Sequence, residues 1–237
     1  GGGKAHSLSA DMLAALGAAL TTAEHDNEAR VIVLHGPGHI FCAGHDLKEI
    51  ARHRADADQG RAFLEGLFQD CAKVMQCIAT GSKPTIAMVD GIATAAGAQI
   101  VAACDLAFAS ERATFCLPGV TNGGFCSTPS VAVGRAISRK HLMEMALSGD
   151  IYDANWAMSV GLINRVVSSS ALENTVYEFA QNLAQRHAPA IALGLKTFDT
   201  QMAFPLDQAY EIAGAAMLEH FMDPSRIALE KKIWRRD

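Results

Sequence analysis

The segment from Lys83 to Ser110 constrains the fold of this chain more than any other part of the sequence. It reads KPTIAMVDGIATAAGAQIVAACDLAFAS. A proline precedes the short apolar run Thr85 to Val89, Asp90-Gly91 is a turn signal, and the residues from Ala93 to Ala98 have almost no side chains. This order predicts a buried strand, a tight turn and the start of a helix.

The small residues of this segment allow two interpretations. They let the backbone approach another part of the structure closely, and the free N–H groups at a helix start favour negative charge. A helix start at the end of a strand is therefore a candidate oxyanion site. The alternative is that the alanines and the glycine serve only close helix packing.

Length and composition describe a globular chain. With 237 residues, half of them hydrophobic and 19% charged, the chain suits one large domain or one domain with a small appendage. The net charge of -5 argues against nucleic acid or an anionic membrane surface as a partner. The sequence has no apolar run long enough to span a membrane.

The cysteines and histidines indicate the compartment and argue against a metal site. The six cysteines are scattered, without a CxxC pair, which predicts reduced thiols in a cytoplasmic compartment, either a bacterial cytosol or a mitochondrial matrix. None of the nine histidines has the spacing of a zinc site, so no metal is predicted.

Hydrophobic periodicity predicts a front part of alternating strands and helices and an all-helical tail. The predicted strands are 31–35, 85–89, 106–109, 114–117 and 162–167, and the loops include 36–46 and 118–129. The predicted helices are one that runs from its N-cap Ser9 to about Glu24, then 59–80, 130–136, 139–148, 154–160, 171–186, 190–201, 206–221 and one that begins at Asp223-Pro224, with Asp223 as its N-cap. The fold class is α/β, with a core over residues 1–170 and a helical region of the same domain over 171–237.

Two stretches together resemble the enoyl-CoA hydratase/isomerase family, the crotonases. Phe41 to Glu49 reads FCAGHDLKE, close to the family pattern F-x-A-G-x-D-L-K-E. The later pattern K-P-x-I-A-x-V-x-G, a run of small residues and C-D are matched from Lys83 to Asp105. The resemblance continues through 117–120, 147–150 and 161–163 to 230–232. Gly44 to Leu47 and Phe125 to Pro129 are similar to the branch of enoyl-CoA hydratase domain-containing proteins.

This resemblance implies a fold, a ligand and an assembly. The fold would be a spiral of ββα units with a C-terminal helical trimerisation region, assembled as a homotrimer or hexamer. The ligand would be an acyl-CoA thioester, with coenzyme A as part of the substrate and no separate cofactor. Transferred by position, the backbone N–H groups of His45 and Ala96 would form the oxyanion hole for the thioester carbonyl.

The glutamates that family hydratases use are missing at both matched positions. The first position is Gln99 and the second is Gly119. An amide can hydrogen-bond a water but cannot take its proton at neutral pH, and glycine offers no side chain. We therefore expect ordinary hydration to be very slow. Restoring both carboxylates should raise it, provided that the rest of the pocket is preserved.

Other polar residues of the matched stretches have two interpretations each. Ser127 stands where some relatives carry an aspartate and would lie near the acyl group, but it could equally be a helix N-cap. The ring of His45 could project into the pocket or hydrogen-bond nearby backbone. Asp46 fits a structural partner of the binding loop better than an acid.

The remaining candidate substrate-binding residues are carried over from the family by position. Ala43, Leu47 and Gly97 would line the acyl-CoA site, as would the loop around Asp46. The three lysines Lys48, Lys231 and Lys232 are candidates for the CoA phosphates, with ordinary solvated surface as the alternative.

The sequence therefore predicts either of two kinds of protein. One is an enzyme of the hydratase/isomerase class with altered acid–base groups, or one with other crotonase chemistry such as decarboxylation or thioester hydrolysis. The other is a non-catalytic acyl-CoA-binding regulatory protein that has kept the pocket and lost turnover.

Overall fold

Two four-stranded sheets form the front of the molecule. The computed structural model describes residues 5–233, apart from the side chains of 232 and 233. One sheet has the order β1-β3-β5-β8 and is parallel throughout; the other has the order β2-β4-β6-β7, with only β7 antiparallel to its neighbour. The strands are β1 Ile32–His35, β2 Ile40–Cys42, β3 Thr85–Val89, β4 Ile92–Thr94, β5 Leu106–Ser110, β6 Thr114–Cys116, β7 Ile151–Asp153 and β8 Arg165–Val167.

Helices connect the strands, and the described chain after β8 contains helices and their connections but no strand. They are α1 Ala10–His25, α2 Leu47–His53, α3 Arg61–Ala79, α4 Ala96–Ala103, α5 Pro129–Ala136, α6 Arg139–Ser148, α7 Ala154–Ser159, α8 Ser169–Ala184, α9 Ala188–Gln201, α10 Leu206–Met222 and α11 Pro224–Ile233. A short 3₁₀ helix covers Pro118–Asn122.

The two sheets are formed in parallel along the chain, because each ββα unit contributes one strand to each sheet before its helix. Thus β1, β3 and β5 lie in one sheet, and β2, β4 and β6, which follow them directly, lie in the other. The predicted α/β fold, a crotonase-like spiral of ββα units with an all-helical C-terminal region, is confirmed. The division at residue 170 stays a prediction.

The strand β3 lies at the centre of the core and is buried along its whole length. Its side chains alternate between two faces, as strand geometry requires. Ala87 and Val89 belong to the main hydrophobic cluster with α1, α3 and α4. Ile86 and Met88 belong to a smaller cluster with α8. The central segment of the sequence is thus covered on both sides.

Most predicted element bounds are confirmed within one to three residues, but three of the five three-residue strands were missed. The loop predicted over 36–46 contains β2, the segment after the predicted turn Asp90-Gly91 contains β4, and β7 and α2 were not predicted. These strands have three residues each, too few for a periodic pattern to register. The prediction of a strand over 162–167 was wrong at its start, since β8 begins at Arg165.

The apolar run over 31–35 predicts a strand buried on both faces, and this prediction was wrong for β1. Its residues are half-buried or exposed, because β1 is an edge strand of its sheet. Elsewhere the caps follow the sequence: Ser9 accepts a hydrogen bond from the N–H of Met12 at the start of α1, and Asp223 accepts one from Arg226 at the start of α11. Within the described residues, no helix has the length and apolar character required to cross a membrane.

Candidate active site

The connection from β2 to α2 carries the first of the two predicted amide donors, and an N-terminal segment holds it in place. Leu8 pairs with His45 as a parallel bridge: the N–H of Leu8 donates to Gly44 O at 2.8 Å, and the N–H of Asp46 donates to Leu8 O at 3.2 Å. In a parallel bridge of this kind, the middle residue directs its own N–H and C=O to the opposite side. The amide of His45 therefore points away from Leu8.

The second predicted donor lies at the first position of α4. The residue before it, Ala95, has a positive φ of 52° with ψ at -117°, a conformation that is strained for a side-chain-bearing residue. Its N–H donates to Cys116 O at 2.9 Å, which anchors the turn to β6. The N–H of Ala96 belongs to the first helical turn, where no intrahelical acceptor exists.

Glycines bring these two turns together. A Cβ placed on Gly44 would lie 3.0 Å from Ala95 Cβ and 3.4 Å from Ala96 N, and one placed on Gly97 would lie 2.1 Å from Cys42 O. The backbones around His45 and Ala96 are thus in van der Waals contact. Across residues 5–233, neither of these two N–H groups donates a hydrogen bond to another part of the chain.

The His45 ring is a second polar feature of the same loop. Both ring nitrogens are buried and have no hydrogen-bond partner among the described residues. The ring packs edge-on against Phe68 of α3, with 5.4 Å between the centroids. Burial lowers the pKa of the imidazole below its ordinary 6.5, and the nearby Leu8 backbone opposes this shift only in part. Burial therefore favours the neutral form of the ring.

Gln99 lies one helical turn beyond Ala96 on α4 and is buried, with 4% of its surface exposed. Its Oε1 has no hydrogen-bond partner among the described residues. The residue lines a cavity of about 770 Å³ between α3, α4, α5 and α9. Neither His45 nor Ala96 lines this cavity. Ala72, which does, follows Phe68 by about one turn on α3.

The space that a side chain at position 119 would need is already occupied. A Cβ placed there would lie 2.6 Å from Cys126 N and 2.7 Å from the carbonyl carbon of Phe125, so neighbouring backbone fills the space of a side chain. The N–H of Gly124 donates to Gly119 O at 2.9 Å and closes this loop. Restored carboxylates should raise hydration only if the rest of the pocket is preserved. The backbone beside position 119 leaves no space for a side chain, so this condition is not met there.

Ser127 lies in the loop before α5, where its side chain is exposed. Its position near the acyl group stays a prediction. The N-cap alternative is wrong, because Thr128 occupies that position without a side-chain cap bond. Cys126 is buried, and burial raises the pKa of its thiol, so it is a packed thiol.

Asp46 has the structural role that the sequence favoured. Its Oδ1 accepts hydrogen bonds from the N–H groups of Lys48 at 2.9 Å and Glu49 at 3.1 Å, which caps α2. Ala43 is half-buried, and its N–H donates to Ala5 O. Leu47 and the side chain of Lys48 are exposed at the start of α2.

The C-terminal lysines are not brought to the site by any contact in the described chain. Lys231 is exposed on α11, and the side chain of Lys232 lies outside the described residues. Their role toward CoA phosphates stays a prediction.

Three residues of the site were not singled out by the sequence. Phe68 is 42% exposed although it lies on a largely apolar helix, and its place beside His45 depends on how α3 packs. The strained Ala95 gives no sequence signal, since alanine is not a residue that favours positive φ. Leu8 resembles any other core leucine, and only the bridge to His45 reveals its role.

Comparisons with known proteins identify the family of this chain. A sequence model of the family described as enoyl-CoA hydratase/isomerase matches residues 3–231. Enoyl-CoA hydratase domain-containing protein 3, mitochondrial, from Danio rerio is 39% identical over 238 residues, covering 98% of this chain and 81% of that protein.

Solved structures give the same result. An enoyl-CoA hydratase/isomerase family protein from Silicibacter pomeroyi is 53% identical with a TM-score of 0.89, covering 94% of this chain and 93% of that one. Human enoyl-CoA hydratase domain-containing protein 3 is 36% identical with a TM-score of 0.89, covering 98% and 90%. The chain therefore belongs to the enoyl-CoA hydratase/isomerase family, in the branch of the enoyl-CoA hydratase domain-containing proteins.

Proposed function

We propose that this protein binds an acyl-CoA thioester and polarises its carbonyl through the backbone N–H groups of His45 and Ala96. The observation that supports this most is that both amides lack an acceptor while Gly44 packs against Ala95 and Ala96. Two such donors would stabilise the charge that gathers on the oxygen of an enolate, each by about 2.7–4 kcal/mol as in measured oxyanion holes. Coenzyme A would be part of the substrate.

Ordinary hydration of an enoyl-CoA is not the activity we propose. Gln99 cannot take a proton from water at neutral pH, and the space beside Gly119 is filled by backbone. Positioned acid–base groups contribute roughly 10²–10⁴-fold each, so their loss would make hydration very slow. The same observation favours a second candidate, a non-catalytic acyl-CoA-binding protein that retains the oxyanion site alone.

The experiment that tests carbonyl polarisation removes one of the two backbone N–H donors and leaves every other side chain of the site in place. Ala96→Pro deletes the donor at the first helical position, where proline fits a helix. Infrared difference spectra of butanoyl-CoA labelled with ¹³C at the thioester carbonyl should show a lowered C=O stretch on binding to the native protein. The variant should lose most of this shift.

Arg139→Pro is the matched control, since Arg139 is the first residue of α6 and lies outside the proposed site. This variant should keep the shift, and circular dichroism should show that both variants fold. A bound thioester whose C=O stretch stays at its value in water would contradict the proposed function.

The assembly and the compartment are proposals too. Large apolar side chains are exposed on the C-terminal helices, among them Phe198, Leu206, Tyr210 and Leu218. Apolar surface of this extent favours association with further copies, as a homotrimer or hexamer. The relative from Danio rerio is named as mitochondrial, which supports the mitochondrial matrix, or the cytosol for a bacterial protein.

A further inference from the structure

We propose that the imidazole of His45 is the acid–base group of this site and carries a proton to and from C2 of the bound acyl group. The inference rests on the proposed function, because it needs a thioester oxygen held by the amide of the same residue. It adds a catalytic side chain at a site from which the usual carboxylates are missing.

Unpaired polar atoms support the inference. Buried polar side-chain atoms almost always have a partner. Four such atoms lack one among the described residues: both ring nitrogens of His45, Oε1 of Gln99 and the hydroxyl of Ser110. Two of the four are the ring nitrogens of His45, the residue whose amide is one of the two proposed donors. A ligand that hydrogen-bonds or exchanges protons there would supply the missing partner.

Covalent connectivity puts the ring on the residue that would hold the oxygen and puts C2 on the carbon that carries this oxygen. The oxygen that the His45 N–H would hold is bonded to the thioester carbon, and C2 is bonded to that same carbon. The ring is attached to the residue that supplies the amide, and Phe68 restrains it from the side of α3. A general base has to come within about 2.6–3.2 Å of the atom whose proton it takes, and this arrangement favours such an approach.

The groups around the ring leave it neutral and able to accept a proton. The Leu8 backbone faces it from the N-terminal segment, and Phe68 faces it from α3. The charged neighbours along the loop are engaged elsewhere: Asp46 caps α2, and Glu49 accepts a hydrogen bond from Ala10 N at 3.0 Å. On α3, Glu65 and Asp70 pair at the surface with Arg61 and Lys73.

The step is a reversible enolisation. The C2–H bond breaks and its proton joins the unprotonated ring nitrogen of His45. The electron pair of that bond forms the C1–C2 double bond, while the carbonyl pair moves to the oxygen held by the two amides. Return of a proton, or of a deuteron from D₂O after exchange at the imidazolium, restores the acyl group.

Deuterium exchange tests this step without a net reaction. Butanoyl-CoA is incubated with the protein in D₂O, and ¹H NMR follows the loss of the C2 proton signal while calorimetry measures binding of the same compound. We expect rapid exchange with the native protein. The rate should fall with decreasing pH and show an inflection below 6.5, because the base must be unprotonated.

Two variants separate proton transfer from hydrogen bonding. His45→Gln can hydrogen-bond but not accept the proton, and His45→Phe can do neither; both keep the backbone amide. Exchange should fall by about 10²–10⁴-fold in both, with little change in Kd. His39→Phe, an exposed histidine earlier in the connection from β1, should match the native rate.

Other results would contradict either the role of the imidazole or the proposed function. Exchange by His45→Gln at the native rate would overturn the role of the imidazole, and so would a native protein that binds butanoyl-CoA without exchanging C2. Failure of the native protein to bind any acyl-CoA would instead overturn the proposed function, and this inference with it.

Discussion

At the residue scale, the backbone around Gly119 leaves no space for the glutamate that the family resemblance would place at this position. The main chain of Phe125 and Cys126 lies where a Cβ at position 119 would be. A glutamate there would have to displace this loop, including the hydrogen bond from Gly124 to Gly119. Gly119→Glu alone would therefore not supply a carboxylate to the site without moving this loop.

We predict that Gly119→Ala destabilises the protein by about 1–3 kcal/mol, because the added methyl group overpacks the loop. Gly124→Ala is the control from the same loop, since a Cβ there would lie 3.8 Å from its nearest neighbour, Gly119 O. Urea unfolding of both variants measures the difference. Equal stability of the two would show that the loop yields to a side chain at 119.

The same geometry yields a prediction about activity. Gln99→Glu combined with Gly119→Glu should not raise the hydration of crotonyl-CoA, because the loop leaves no room for the second carboxylate. The decrease in enoyl absorbance measures the rate. A clear gain in a folded double variant would contradict this expectation.

The buried ring of His45 should make stability depend on pH. Its folded-state pKa is lowered by burial, so below about 6.5 the unfolded chain takes up a proton that the folded chain does not. The free energy of unfolding should fall as the pH decreases from 6.5 to the lowered pKa. In His45→Phe this contribution is absent, and the variant should be at least as stable as the native protein at neutral pH.

Urea denaturation at a series of pH values measures both proteins. His39→Phe provides the comparison for an exposed histidine. Parallel pH profiles for native protein and His45→Phe would show that the ring takes up its proton equally well in the folded state.

At the scale of elements, the site depends on how closely α4 approaches β2. Gly97 makes this approach possible, because any Cβ at that position would collide with Cys42 O. Gly97→Ala should lower stability by about 1–3 kcal/mol and weaken acyl-CoA binding, since the helix start would move away from the loop around Gly44.

Gly66 on α3 is the matched control, because it is also a helical glycine but has no atom within 4 Å of its Cβ position. Gly66→Ala should instead stabilise the protein by about 0.5–1 kcal/mol, as expected for glycine inside a helix. Thermal unfolding and calorimetric titration with butanoyl-CoA measure both variants. Unchanged binding by Gly97→Ala would mean that the small residue serves packing alone.

The sequence predicted those elements that carry a long or strongly apolar pattern. The helix α6 and the strand β3 were predicted with their observed bounds, because caps, turn signals and continuous burial all mark their ends. The strands β2, β4 and β7 were missed, since their pairing depends on neighbours distant in the chain. The contact between Gly44 and Ala95 could be expected only from the family resemblance.

At the scale of the whole molecule, the C-terminal helices expose an apolar surface that suits association. Leu206 and Tyr210 on α10 are 74% and 73% exposed. We expect the native protein to elute at a multiple of its 25.1 kDa chain mass, and Leu206→Glu with Tyr210→Glu to shift it toward the monomer. Light scattering coupled to gel filtration measures the masses.

Thr22→Glu, which adds a charge on the exposed side of α1, is the control and should leave the mass unchanged. A native protein that remains monomeric at high concentration would contradict the proposed assembly.

Two contacts also determine when the site can form during synthesis of the chain. They are the bridge between Leu8 and His45 and the hydrogen bond from Ala95 N–H to Cys116 O. The proposed ligand site draws on the first residues of the described chain and on a carbonyl more than a hundred residues later. Proteins are synthesised from the amino terminus, so a nascent chain lacks part of the site until Cys116 has left the ribosome. Ribosome-bound fragments that end before this point should not retain acyl-CoA, whereas fragments that extend well past β6 could begin to do so.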